Sequence, residues 1–110
     1  MLWSQRIAQW LVSDRVTEMA ERVAGRSRMA VWQRVVDRAG ALAAAESRGY
    51  IRARAASVVQ AEMDRLIEQE GPKVARQRER IVALATQSLV ETLAAQIQQR
   101  RSLHAQRQAA

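Results

Sequence analysis

The stretch GPKVARQRERIVALATQSLVETLAAQI, residues 71–97, decides the fold class of this chain. Gly71-Pro72 is its firmest punctuation, because proline lacks a backbone N–H and suits the first turn of a new helix but not a helix interior. After the proline, Val74, Ile81, Ala85, Leu89, Leu93 and Ile97 recur at helical spacing and form one apolar stripe. A helix is therefore predicted from Pro72 to about residue 101. Beyond it, residues 102–110 hold one large apolar side chain, Leu103, and are expected to form a frayed or disordered tail on a single domain of residues 1–101.

Toward the N-terminus, Ile51, Ala55, Val58, Val59, Met63 and Leu66 form a second apolar set. It is rotated by roughly a third of a turn from the set Trp32, Val35, Ala39, Leu42, Ala43 and Glu46 in the segment before it. The shift predicts a break or kink at Gly49, the alternative being one long helix whose two faces meet different partners. At the start of the chain, Trp3, Ile7, Trp10 and Leu11 share a face, and the phase then changes to Val12, Val16, Met19 and Val23. A bend near Ser13 is expected, with Ser13 or Asp14 capping the restart.

Strand signals are missing: the chain has no sustained apolar/polar alternation, no Asn and no Asp-Gly turn. Helix formers dominate. The expectation is an all-α protein of three or four helices, packed as an antiparallel bundle or helical hairpins and joined near Gly25, Gly49 and Gly71-Pro72.

Of the 110 residues 48% are hydrophobic, but many of these are alanine and none is Phe. Alanine removes little area from water, at about 25 cal/mol per Å² of apolar surface, so a monomer would have a thin core. A homo-oligomer, or a subunit of a larger assembly, is expected. The absence of Cys excludes a disulfide framework and thiolate metal sites. No apolar run is long enough for a membrane span, and Arg6 and Gln9 interrupt what would be a secretory signal, with Asp14, Glu18 and Glu21 following. A cytoplasmic protein is the default expectation.

Catalysis finds little support. The only histidine is His104, in the expected tail, so Cys-His and most Ser-His arrangements are out of reach. Glu62, Asp64, Glu68 and Glu70 form an acidic cluster, yet no Glu-x-x-His motif accompanies it, as helix-bundle carboxylate metal sites would require. These acids read as a solvated face with neighbours such as Arg65. No enzyme activity, cofactor or metal is expected.

The net charge of +7 is unevenly placed. Residues 22–54 carry eight arginines against Asp37 and Glu46 alone. On a continuous helix Arg34, Arg38, Arg48 and Arg52 would make one basic stripe, able to follow a phosphate backbone or an anionic surface through counterion release. That stripe exists only if Gly40 and Gly49 leave the helix unbroken. Tyr50, flanked by Arg48 and Arg52, is expected to plug the junction at Gly49, or to stack on a base or an arginine plane.

Residues 19–35, MAERVAGRSRMAVWQRV, sharpen the nucleic-acid alternative. This run resembles a bacterial helix-turn-helix: Gly25 stands at the turn, Ser27 at the cap of the recognition helix, and Val31 and Val35 at its core positions. The resemblance implies that Arg28, Gln33 and Arg34 lie near a groove or backbone. Two positions depart from the pattern, since Ala20 lies five residues before Gly25 instead of four and Arg26 stands where an apolar residue is usual. An ordinary helical hairpin is the preferred reading.

The leading functional expectation is a non-enzymatic helical interaction or scaffolding protein. Its partner is itself or another helical protein, docked through Trp3, Ile7, Trp10, Leu11 and Trp32. Nucleic-acid binding by Arg26, Arg28, Arg34, Arg38, Arg48 and Arg52 is the alternative. Peripheral membrane association through the N-terminal Trp face comes third.

Overall fold

The computed structural model describes the backbone of residues 2–109 and the side chains of residues 14–109. Four helices follow one another: α1 (Leu2–Ala39), α2 (Ala44–Glu70), the single-turn α3 (Pro72–Ala75) and α4 (Arg78–Ala109). No strand occurs among the described residues. The three long helices pack pairwise against one another, so the architecture is an all-α bundle around one shared core. Cross-helix pairs fix the directions. Arg22 reaches Glu70 and Arg34 reaches Ser57, so α1 and α2 are antiparallel. Arg52 reaches Gln87 and Arg78 reaches Gln60, which sets α4 antiparallel to α2 and parallel to α1. The bundle is long, with extents of 63 × 30 × 19 Å and a radius of gyration of 17.1 Å. A spherical domain of this size would have a radius of gyration of about 13 Å.

Only one of the three expected junctions is where the sequence placed it. Gly71 ends α2 with φ +90 and ψ −163, a conformation that disfavours any residue with a Cβ, and Pro72 opens α3 at its first position. Gly25 and Ser13, by contrast, lie inside a continuous α1, and Gly49 lies inside a continuous α2. The chain reverses instead at residues 40–43. There Ala41 and Leu42 donate to Arg38 and Ala39 in tight turns, and extended Ala43 restarts the helix.

The apparent phase shift at Gly49 arises because the two sets lie on different helices, Trp32, Val35 and Ala39 on α1 and Ile51 to Leu66 on α2, with Leu42 and Ala43 in the reversal between them. Buried residues step by four along each helix: Ser27, Val31, Val35, Ala39 on α1; Ser47, Ile51, Ala55, Val59, Met63 on α2; Ile81, Ala85, Leu89, Leu93, Ile97 on α4. Four residues overshoot a 3.6-residue turn by about 40°, so each buried row winds round its helix without any break. The same drift removes the heptad signal that a parallel-sided bundle would carry.

The core is fuller than the composition suggests. Its largest members are Met19, Ile51, Met63, Leu66, Ile81, Leu89 and Leu93. Alanine contributes Ala20, Ala24, Ala39, Ala55 and Ala85 to the core, whereas Ala41, Ala45, Ala53, Ala56 and Ala83 are exposed. Much of the alanine thus dilutes the surface and leaves the interior to Val, Ile, Leu and Met. Past Arg101, α4 continues as helix to Ala109 with every described side chain exposed.

Candidate functional site

The three seams between the long helices differ in how their arginines are satisfied. On the α1/α2 seam, Glu70 accepts from Arg22 at 2.8 Å and from Arg15 at 3.3 Å, Arg26 donates to Gln69, and Arg34 donates to Ser57. Half-buried Tyr50 closes this seam near the reversal. Its ring lies under the guanidinium groups of Arg54 and Arg38 at 5.3 and 5.9 Å, a cation–π arrangement on the arginine plane. On the α2/α4 seam, Arg78 meets Asp64 at 2.7 Å, Arg48 approaches Glu91 at 3.8 Å, and Arg52 donates to Gln87. The acidic cluster on α2 is therefore largely engaged, with Glu62 held by Arg65 as well.

The α1/α4 seam has a different chemistry. A cleft of about 460 Å³ is lined by Gly25, Arg28, Met29, Trp32 and Gln96. Further along, a second of about 380 Å³ is lined by Val36, Gly40, Ile97, Arg100, Arg101, Leu103, His104 and Arg107. Among the described residues no carboxylate lines either cleft, whereas a smaller one of about 180 Å³ that adjoins the first at Gly25 and Arg28 includes Glu21. Arg100 of the second cleft stacks over the half-buried Trp32 of the first, 5.7 Å from the ring centroid. Arg28 and Arg107 make no hydrogen bond or ion pair among the described residues. The apolar side chains Met29 and Leu103 stand 66% and 52% exposed beside these cations.

The structure scatters the six candidate arginines over three seams. Arg26, Arg34 and Arg38 belong to α1/α2, Arg48 and Arg52 to α2/α4, and Arg28 to α1/α4. The stripe Arg34, Arg38, Arg48, Arg52 does not form, because the reversal at residues 40–43 folds α2 back and turns its arginines toward α4. A helix-turn-helix does not form at residues 19–35 either. Gly25 is helical within α1, and Ser27 is fully buried in the core instead of capping a new helix. Of the candidate interface residues, Trp32 lies in the α1/α4 groove, while Trp3, Ile7, Trp10 and Leu11 fall outside the residues whose side chains are described.

Sequence reasoning missed Arg100, His104 and Arg107, having assigned most of that segment to a tail. The signal was present as helical spacing: Gln96, Arg100 and His104 step by four, and so do Leu103 and Arg107. Among the described residues no group of His, Asp and Glu could hold a metal ion, and no helix is long and apolar enough to cross a membrane. Comparison of the chain with protein-family models, curated proteins and solved structures finds no match.

Proposed function

We propose that this chain is a non-enzymatic helical interaction module that docks a segment of a protein partner along the α1/α4 seam. One observation carries the reading: two adjoining clefts on a single seam combine exposed apolar side chains with cations that have no partner among the described residues, and no described carboxylate lines either of the two. Interfaces are typically built from aromatic, Met and Arg side chains of this kind. The groove supplies Trp32, Met29, Arg28 and Arg100 together. Association with a second copy, or membership of a larger assembly, is the same class of role.

Nucleic-acid binding is the second reading, favoured by the cations Lys73, Arg76 and Arg80 at the far end of the bundle, which have no partner among the described residues. It is weakened by the dispersal of the arginine stripe, since a phosphate backbone is followed best by a row of cations on one face.

The test compares wild type with the Trp32→Ala/Arg100→Glu variant as bait in lysate of the native source, with helicity checked by circular dichroism. A partner retained by wild type and lost by the folded variant supports the module. Identical captured proteins for both would remove the groove from consideration, and light scattering would show whether self-association accounts for any residual interaction.

A further inference from the structure

We infer that the α1/α4 groove accepts an acidic amphipathic helix of a partner protein, with two apolar anchors about two turns apart. The inference rests on the interaction-module reading and adds the partner's chemistry. The two clefts are framed on α1 by Met29 with Trp32 and by Val36 with Gly40, offsets of seven and eight residues. At 1.5 Å per residue the clefts lie about 10–12 Å apart along the helix, which matches positions i and i+7 of a docked helix. Each cleft offers apolar surface for one anchor: Met29 and Trp32 in the first, Val36, Ile97 and Leu103 in the second.

Charge complementarity fixes the rest of the partner's face. Arg100 lines the second cleft and reaches over Trp32 of the first, so a carboxylate between the anchors meets its guanidinium. Arg28 borders the groove at one end and Arg107 at the other, so carboxylates beyond each anchor find a cation that lacks a partner among the described residues. Among the described residues no acid lines either cleft, so an acidic helix is favoured over a basic one between Arg28 and Arg107. Beyond Arg28 the next cleft of the seam is lined by Glu21, which marks the end of the acid-accepting stretch.

A second copy of this chain would have to offer Asp14, Glu18 and Glu21 of α1, since Glu62, Asp64 and Glu70 on α2 are held by Arg65, Arg78, and Arg15 with Arg22. A concentration-dependent dimer that the glutamate peptide dissociates would assign the groove to a second copy and overturn the inference. Nucleic acid fits less well. Trp32 has its ring face covered by Arg100, and exposed Met29 and Leu103 have no counterpart in a phosphodiester backbone.

The probe is a helical peptide of roughly 18 residues with leucines two turns apart and glutamates between and beyond them, paired with a twin in which lysine replaces every glutamate. Each is titrated into the isotope-labelled full chain at low salt. The glutamate peptide is expected to bind at least about tenfold tighter than its twin. It should shift the Trp32 indole N–H and the amides of residues 25–40 and 96–107, and Arg100→Glu should reduce or reverse the preference. Equal binding of the two peptides, shifts confined to α2, or a duplex of roughly 20 base pairs displacing the glutamate peptide from the same resonances would overturn the inference. Partner capture by wild type but not by the Trp32→Ala/Arg100→Glu variant, with no preference between the peptides, would overturn the acidic-helix assignment alone and leave the module standing.

Discussion

Arg101 Nη2 donates to the backbone carbonyl of Ala39 at 3.0 Å, so a side chain on α4 caps the C-terminal end of α1. The same guanidinium reaches Gly40 O through Nε at 3.0 Å and Leu42 O through Nη2. The last carbonyls of a helix have no partner within it, and a cation there also complements the helix dipole. Arg101 continues the four-residue row that ends at Ile97, so its position one step beyond the core points its fork at the reversal.

Replacing Arg101 by alanine is expected to destabilise the bundle by about 2 kcal/mol, the order of a charged hydrogen-bond set to backbone carbonyls. In a domain of this size that lowers the melting temperature by roughly 10 °C. Arg101→Lys recovers only part, because an ammonium group lacks the planar fork that spans several carbonyls. Thermal melts by circular dichroism check both, and a melt for Arg101→Ala that overlays wild type would show that the cap is dispensable.

Glycine substitutions separate turn glycines from helical ones. Gly71→Ala is expected to cost about 1 kcal/mol or more, since φ +90 disfavours a Cβ there. Gly49→Ala and Gly25→Ala are expected to stabilise by up to about 1 kcal/mol, because both positions are inside helices and a Cβ meets nothing within 4 Å. Denaturant titration gives the sign. Destabilisation by Gly25→Ala would revive a turn at that position.

Ser27 and Ser47 are buried, and neither hydroxyl has a hydrogen-bond partner among the described residues. An unpaired buried hydroxyl costs desolvation without return. Ser27→Ala and Ser47→Ala are therefore expected to leave stability unchanged or raise it by up to about 1 kcal/mol, with alanine's better helix propensity adding to the gain. A loss of stability in either variant would mean that its hydroxyl is satisfied in solution.

Glu70 is the hub of two ion pairs to α1, yet Arg15 and Arg22 are well exposed, with side-chain exposures of 53% and 36%. Solvent weakens such pairs. Glu70→Ala is expected to cost less than about 1 kcal/mol, and the difference from wild type should shrink further in high salt. A larger, salt-independent loss would assign Glu70 a structural weight that surface pairing does not explain.

The helical class and the Gly71-Pro72 junction were legible because each depends on local chemistry: the absence of strand patterning, and proline's missing N–H. The junctions at Gly25 and Gly49 were misplaced for the opposite reason. A glycine without positive φ carries no turn by itself, and the change of phase separates apolar residues on either side of the reversal at residues 40–43. The reversal lies at residues 40–43, a run of Gly, Ala and Leu whose end is capped from Arg101, 60 residues away in the chain. The groove was hardly legible, since Trp32 and Arg100 meet only when α1 and α4 lie parallel.

By itself the sequence determined that the chain is helical, where α2 ends, that Val74, Ile81, Ala85, Leu89, Leu93 and Ile97 face inward, and that arginine dominates the surface. These follow from propensity and periodicity, which act within a few residues. Only the tertiary structure decided which arginines meet. It joined Arg22 to Glu70, sent Arg48 toward Glu91, and set Arg100 over Trp32 on the α1/α4 seam. Helix direction and register fix those pairings, and both are set by burial of the shared core between distant segments.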